Sequence, residues 1–143
     1  MDTIDPQQTI FYTIEKAIKS YRKFAQKQLS DVVSGITVDQ VLVLTVIESS
    51  PDIAQHEIAS LLFKDYASIT RMIELLVKNE YLTRSINETD RRKFTLKISA
   101  KGETTLKQLK PIILKNRTDA LEGVSESEVN QMFTTLSKII NNC

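Results

Sequence analysis

Hydrophobic residues recur at steps of three and four along most of this chain and at steps of two over one short stretch. The first pattern predicts a helix from residue 7 to about residue 31, after Pro6, which a helix tolerates in its first turn. Gly35 separates it from Thr37-Val-Asp-Gln40, which has the sequence of a capping box. The helix that Thr37 opens is apolar around most of its circumference, so we expect it to be the most buried one.

Two further helices joined by a brief turn are predicted next. The first spans residues 55–62, and its inward positions are Ile58, Ala59, Leu61 and Leu62. The second begins near Asp65, a favoured N-cap residue. Its apolar stripe comprises Ile69, Met72, Ile73, Leu76 and Val77.

The two-residue period follows and indicates a hairpin. Apolar and polar positions alternate over residues 94–98, as in a half-buried strand. Leu82 and Ile86 bracket the partner strand, and the polar loop over residues 87–92 contains the turn-forming residues Asn87 and Asp90. The order of helices and hairpin predicts a helix-turn-helix beside a β-wing.

The remainder of the chain predicts two more helices. Ser99 opens the first, and Pro111 lies inside it, so we expect a kink or break near residues 107–111. Gly123 is a natural stop, and Ser125-Glu-Ser-Glu128 is a second capping box. The apolar side of the last helix comprises Val129, Met132, Phe133, Leu136, Ile139 and Ile140.

Composition is that of a globular chain of 143 residues, 41% of them hydrophobic. This size predicts one domain, or one domain with a helical extension. The sequence has no apolar run of about 18 residues, so it predicts no membrane span. The first residues lack the pattern of a secretory signal. The single cysteine, Cys143, excludes an internal disulfide and is consistent with a cytoplasmic protein.

A net charge of +1 hides a marked asymmetry. Residues 15–28 carry five positive charges against one negative, and residues 83–101 carry six against two, whereas the tail from Asp119 is acidic. Local charge decides whether a polyanion is attracted. The N-terminal cluster is equally compatible with a solvated surface, but the cluster in the hairpin favours DNA.

The candidate DNA-reading residues lie at the start of the helix that follows Asp65. Small or hydrogen-bonding side chains suit base edges in the major groove, while an ordinary amphipathic helix remains the alternative. In the wing, Asp90 lies two residues before Arg92 and is expected to pin it, which leaves Arg91 for the minor groove or a phosphate. The candidate DNA-binding residues are Ala67, Ser68, Thr70, Arg71, Arg91, Arg92 and Lys93.

The chemistry of an enzyme is missing from the sequence. There is one histidine, one cysteine and three glycines, with no glycine-rich phosphate loop and no metal-ligand spacing. We therefore expect no catalytic residues, no metal and no cofactor. His56 is interpreted as a solvated or capping residue, with a phosphate contact as the alternative. Cys143 lacks the pocketed setting of a redox-sensing thiolate.

These features together resemble the MarR family of winged-helix transcription regulators over nearly the whole chain. Asp90-Arg-Arg92, followed by Phe94-Thr-Leu-Lys-Ile98-Ser99-Ala-Lys-Gly102, is similar to the family's wing signature, an Asp-x-Arg leading to Leu-Thr-x-x-Gly. Ile98 and Ser99 stand for its Leu and Thr. Ser68-Ile-Thr-Arg71 resembles the family's recognition-helix core. One departure is Glu80, which stands where the family usually has a glycine, so either Glu80 is strained or Asn79 makes the turn.

The resemblance implies a mainly α fold with a two- to three-stranded β-wing. It predicts a winged helix-turn-helix DNA-binding domain at residues 36–104 and a helical dimerisation region at residues 1–35 and 105–143. The apolar excess of both terminal regions agrees with a homodimer. Two-fold symmetry predicts a pseudo-palindromic operator on double-stranded DNA, with half-sites about one helical turn apart.

The resemblance also implies a repressor that a small-molecule effector releases. The effector cleft would lie between the first two helices and the helix after the wing. Phe11, Tyr12 and Tyr21 are its aromatic candidates, although core or interface packing is the favoured explanation of all three. The rival hypothesis is a winged-helix module for protein contact or non-specific DNA binding, without an effector.

Overall fold

The computed structural model describes residues 4–86, 88–90 and 94–143, and these form six α-helices and one hairpin. A short 3-10 turn, Pro6–Gln8, precedes the first helix. The helices are α1 (Ile10–Val32), α2 (Val38–Ser49), α3 (Gln55–Leu61), α4 (Tyr66–Lys78), α5 (Ala100–Ala120) and α6 (Glu126–Asn142). The strands are β1 (Leu82–Ile86) and β2 (Phe94–Ile98), so the mainly α fold with a β-wing is confirmed, with two strands in the described sheet.

Helix α2 lies at the centre of the core, as its all-round apolar sequence predicts. Its buried residues are Gln40, Val41, Val43, Leu44 and Ile47, a larger share than in any other described helix. The capping box forms: the Thr37 hydroxyl accepts from the Gln40 amide at 3.1 Å, and the Gln40 side chain accepts from the Thr37 amide at 3.0 Å. Both predictions for this helix are confirmed.

Helices α3 and α4 form the helix-turn-helix: they pack on each other, α4 packs on α2, and the apolar faces of both join the core. Ile58 and Ala59 of α3 are buried, but Leu61 is 58% exposed, so its predicted inward position is wrong. Leu61 is the last residue of α3, where the chain turns away before the helix can complete another turn over the core. In α4 the predicted stripe is confirmed: three residues are fully buried, and Met72 and Val77 pack against the same core.

The wing is an antiparallel pair with Leu82 opposite Ile98 and Ile86 opposite Phe94. Leu82 is buried, and Leu96 and Ile98 pack against the core, while Ile86 is exposed at the far end of β1. The hairpin therefore projects from the core with only its base anchored. The predicted strand bounds are confirmed.

Helix α5 runs without interruption through Pro111, so of the kink or break expected near residues 107–111 the break does not occur. Pro111 is exposed, and the ring can face solvent while the flanking residues Leu109 and Ile112 pack against the core. The second capping box forms at Ser125 and opens α6, none of whose residues is buried. No described helix has both the length and the apolar character needed to cross a membrane.

Candidate nucleic-acid interface

The start of α4 is fixed by Asp65. One carboxylate oxygen of Asp65 accepts from the Ser68 amide at 2.7 Å and the other accepts from the Ser68 hydroxyl at 2.9 Å. These hydrogen bonds, the one from the backbone amide first, lower the pKa of Asp65. An N-cap of this kind sets the position at which the helix begins, and with it the rotation of its polar face.

Four side chains of the polar face of α4 had been predicted to meet DNA. Ala67 and Arg71 are exposed, while Ser68 and Thr70 are half-buried beside them. The Arg71 guanidinium donates to the Ser68 hydroxyl at 3.2 Å, which uses one of its five N–H donors. The structure thus brings the four predicted residues together within two turns at the N-terminal end of α4.

Thr70 is held by a residue that sequence reasoning did not select. The Gln55 side chain, in the first turn of α3, donates to the Thr70 hydroxyl, which in turn donates to the Tyr66 carbonyl at 3.0 Å. This contact ties α3 to α4 and orients the hydroxyl. No local pattern identifies it, because the two residues lie fifteen positions apart and meet only when the helices pack.

Two exposed aromatic residues flank the same helix start. Tyr66 is the first residue of α4, and Phe63, in the turn before it, is 95% exposed with a φ of 56°. A left-handed conformation is uncommon for a bulky residue and indicates that the turn geometry is imposed by its surroundings. Tyr66 could have been found from its place directly after the predicted N-cap, whereas Phe63 gave no signal.

The basic hairpin divides into an anchored base and a loop. Lys101 donates to the Asn79 carbonyl at 2.7 Å and lies 4.6 Å from the centre of the Tyr81 ring. The Ser99 amide donates to the Tyr81 carbonyl at 3.1 Å. The sequence groups Lys101 with the positive charges of the wing. In the structure this residue instead connects the start of α5 to the end of α4.

The exposed cations of the described wing are Arg84 on β1 and Lys97 on β2. Asp90 is half-buried at the edge of the loop. Arg91, Arg92 and Lys93 lie outside the described residues, and with them the expected pairing of Asp90 and Arg92. The division of roles between the two arginines stays a prediction.

A cavity of about 660 Å³ lies between α1, α2 and α5. This is the position that the family resemblance implied for an effector cleft. Of the three aromatic candidates the structure brings Tyr21 to the cavity wall, whereas Phe11 and Tyr12 are exposed outside it. Its apolar walls include Ile18, Leu29, Val41, Leu42, Leu106 and Ile113.

The cavity wall also carries charged side chains, and cations outnumber carboxylates among them. Lys107, Lys110 and Arg117 of α5 face it, against the carboxylates Glu48 and Glu103. Asn116 also lines the cavity and is 3% exposed. Among the described residues, no group of three or more His, Cys, Asp or Glu side chains could hold a metal ion.

Comparison with known proteins finds a family model that matches the middle of the chain and relatives that match most of its length. A family model described as MarR family matches residues 36–94, which hold α2, α3, α4 and β1. The chain is similar to a curated relative, the HTH-type transcriptional regulator BilQ of Clostridium symbiosum. The two are 25% identical over 133 residues, which are 93% of this chain and 91% of the relative.

Solved structures share the fold over almost the full length. A mutant MarR from E. coli complexed with operator DNA has a TM-score of 0.85 at 21% identity, and the match covers 97% of this chain and 99% of that one. CouR from Rhodococcus jostii bound to p-coumaroyl-CoA has a TM-score of 0.79 at 20% identity, covering 96% and 95%. These likenesses extend to α1 and α6, beyond the segment that the family model matches.

Proposed function

We propose that this chain is a DNA-binding transcriptional regulator of the MarR family, a ligand-responsive repressor that binds a pseudo-palindromic operator as a homodimer. The support is the MarR family model that matches residues 36–94 and the transcriptional regulator that matches 93% of the chain. The observation that carries the proposal is the N-terminal half of α4. There Ala67, Ser68, Thr70 and Arg71 form one small, hydrogen-bonding surface, while Ile69 and Ile73 on the opposite side are fixed in the core.

In this proposal α4 is the reading helix. It enters the major groove with its N-terminal end, where a guanidinium can pair with the acceptors of a guanine and a hydroxyl can meet either kind of base. Gln55 and Asp65 hold Thr70 and Ser68 in place, so less side-chain freedom is lost on binding. The wing residues Arg91, Arg92 and Lys93 contact the adjacent backbone or minor groove, with Asp90 stabilising the loop.

Residues 36–104 are the DNA-binding domain in this proposal, and residues 1–35 and 105–143 form the dimerisation region. The support is the apolar surface that one protomer leaves uncovered at its two ends. Phe133 and Ile140 of α6 are 69% and 70% exposed, and Ile10 and Phe11 of α1 are exposed as well. An apolar surface of this extent on a helix with no buried residue indicates a partner.

The cavity between α1, α2 and α5 is the proposed effector site, with Tyr21 in its wall. A structural neighbour, CouR, is bound to an acyl-CoA thioester, which supports a ligand response for this chain too. Occupation of the cavity would favour a dimer shape whose reading helices no longer match successive major grooves. Phe11 and Tyr12, which lie outside the cavity, are assigned to the dimer surface instead.

The proposal assigns no catalytic reaction to this chain, and it needs no cofactor. It places the protein in the cytoplasm, where the operator DNA of a bacterial regulator lies. The histidine at position 56 is exposed in the first turn of α3. A phosphate contact and a solvated surface position are both compatible with that placement.

The test is selection of bound sequences from a random duplex pool by the purified protein, repeated with Arg71→Ala. We expect a half-site consensus that occurs twice, and loss of preference at one position per half-site in the variant, worth about 1–3 kcal/mol. Lys78→Ala, at the exposed C-terminal end of α4, removes the same charge and should leave the consensus unchanged.

Two results would reject this function. Selection without a consensus, with both variants losing affinity evenly as salt rises, would make the chain a non-specific electrostatic binder. No duplex affinity even at low salt would favour a module for protein contact.

A further inference from the structure

The Arg22 side chain lies between the cavity and the start of α2. It lines the cavity from α1, and its guanidinium also forms an ion pair with Asp39 in the first turn of α2. A charged group that bounds a cavity and is paired outside it can exchange partners when a ligand enters. Arg22 is therefore the point at which the contents of the cavity can affect the rest of the fold.

Asp39 extends the contact to the helix-turn-helix. One of its oxygens pairs with Arg22 and the other lies 3.3 Å from the Lys64 ammonium. Lys64 belongs to the turn between α3 and α4 and directly precedes Asp65, the N-cap of the reading helix. One half-buried carboxylate thus joins α1, which lines the cavity, to the turn that positions α4.

The cavity favours an anion with an apolar body. Its wall contains four cations, Arg22 with the three on α5, against two carboxylates, so the wall carries two positive charges in excess. None of the three cations on α5 forms an ion pair with a residue lining the cavity. The buried Asn116 side chain adds an amide to the same wall. Apolar surface with a few placed polar groups is typical of a small-molecule site.

We propose that an amphipathic anion in this cavity takes Arg22 from Asp39, and that the loss of this pair releases the helix-turn-helix turn from α1. The ligand charge and the Asp39 carboxylate compete for the same guanidinium, so occupation of one weakens the other. With Arg22 withdrawn, Asp39 keeps only Lys64, and the turn and α2 are no longer held to α1 at this point. The link to transcription rests on the proposed function, but the ionic exchange itself does not need DNA.

The anion and Asp39 compete for Arg22, and this coupling is reciprocal, so each variant has a predicted direction of change in anion affinity. Asp39→Asn frees Arg22 and should tighten the binding of an anion in the cavity. Lys64→Gln leaves Asp39 with Arg22 as its only partner and should weaken that binding. If Asp39 and Lys64 only stabilised the fold, these two variants would not change anion affinity in opposite directions.

The probe is 8-anilinonaphthalene-1-sulfonate, followed by its fluorescence, with N-phenyl-1-naphthylamine as the same ring skeleton without the charge. We expect Arg22→Gln to weaken sulfonate binding, and Asp39→Asn to strengthen it, by about 5-fold or more in each case, the lower end of the usual range of couplings. The uncharged probe should bind all variants alike. Lys23→Gln, the neighbouring exposed cation of α1, is the matched control and should change nothing.

A second measurement follows the turn itself in the protein without DNA. Amide hydrogen exchange over residues 62–66 should rise when the sulfonate is bound to the wild-type protein, and should be high and unresponsive in Asp39→Asn. Any one of three results would overturn the proposed switch of ionic partners. Arg22→Gln could leave sulfonate affinity unchanged, or Asp39→Asn and Lys64→Gln could shift that affinity in the same direction. The sulfonate could also bind without any change in amide hydrogen exchange at the turn. Absence of a duplex consensus would instead reject the proposed function and leave these measurements as they are.

Discussion

Each helix of the helix-turn-helix is followed by a residue whose backbone adopts the left-handed conformation. Phe63 has a φ of 56° after α3, and Glu80 has a φ of 65° after α4. At the second site the Tyr81 amide donates to the Leu76 carbonyl at 2.9 Å and the Glu80 amide donates to the Val77 carbonyl at 3.0 Å, the pattern of a Schellman motif. Of the two alternatives that the sequence left open, Glu80 therefore makes the turn, and Asn79 keeps a negative φ of −85°.

Replacing Glu80 by glycine should stabilise the fold. Glycine adopts a positive φ without the steric cost of a Cβ, while its greater freedom in the unfolded chain offsets part of the gain, so we expect about 0.5–1 kcal/mol. Urea unfolding followed by circular dichroism measures it. Asn79→Gly, one residue earlier at a negative φ, should lower the unfolding midpoint; equal gains from both variants would contradict the explanation.

Asp39 links stability to pH. Burial acts to raise its pKa, but the ionic hydrogen bonds from Arg22 and Lys64 outweigh burial and hold the pKa below its usual range. A lowered folded-state pKa means that the pair stabilises the fold fully above the unfolded-state value of about 3.9, and that this contribution is lost as the pH falls through the folded-state value.

The variant Asp39→Asn should therefore lose stability at neutral pH, by about 1 kcal/mol once solvent screening of the half-exposed pair is allowed for. The difference from the wild type should shrink progressively as the pH falls below the unfolded-state pKa and through the lowered folded-state pKa of Asp39. Thermal unfolding across pH 2.5–7 measures both. Lys19→Gln, which breaks only the exposed pair with Glu15, is the control, and a loss that does not depend on pH would refute an ionic origin.

At the scale of elements, the capping residues and the hydrophobic period set the bounds, and one close approach sets how the elements join. Gly102, in the first turn of α5, lies so near the end of α4 that an added Cβ would stand 2.3 Å from the Tyr81 carbonyl oxygen. The neighbouring atom is backbone, held by the Ser99 amide, and cannot turn aside. The glycine therefore lets α5 pack against the base of the wing.

Gly102→Ala should destabilise the protein by about 1–3 kcal/mol, the usual cost of forcing extra volume into a packed site. The helix propensity of alanine acts in the opposite direction and reduces the loss by up to about 1 kcal/mol. Chemical unfolding provides the measurement, with the exposed Thr104→Ala in the same helix as the control. A gain in stability would show that α5 can shift away from Tyr81 at no cost.

At the scale of the whole molecule, the fold has a covered centre and uncovered ends. The core joins α2, α3, α4, the base of the wing and α5, while α6 contributes no buried residue and α1 buries only Ala25 and Leu29. A lone protomer would expose the apolar sides of both terminal helices to water. The proposed homodimer removes this surface from water and holds the two reading helices at a fixed separation.

Phe133→Asp should dissociate that dimer. By two-fold symmetry the substitution acts twice, and the loss of two buried aromatic side chains costs about 3 kcal/mol or more, over 100-fold in the dissociation constant. Sedimentation velocity at micromolar concentration distinguishes dimer from monomer. Thr135→Asp, on the side of α6 where the Gln131 amide donates to the Thr135 hydroxyl, should stay dimeric, and a wild-type protein that sediments as a monomer would exclude the dimer itself.

The sequence by itself determined the elements and the surface that one of them offers. Caps, periodicity and turn residues act between neighbours in the chain, so Thr37, Asp65, Ser99 and Ser125 fix helix starts whatever surrounds them. The polar face of α4, which we propose to read DNA, follows from the same local pattern.

Only the tertiary structure decided what depends on distant parts of the chain. Four features join residues that lie at least 15 positions apart. They are the Asp39 carboxylate between α1 and the helix-turn-helix turn, the hydrogen bond from Gln55 to Thr70, the hydrogen bond from Lys101 to the Asn79 carbonyl, and the cationic cavity beside Arg22. No periodicity encodes such contacts, because they arise from the angles at which the helices pack. Leu61, apolar in sequence but exposed at the end of α3, shows the same dependence.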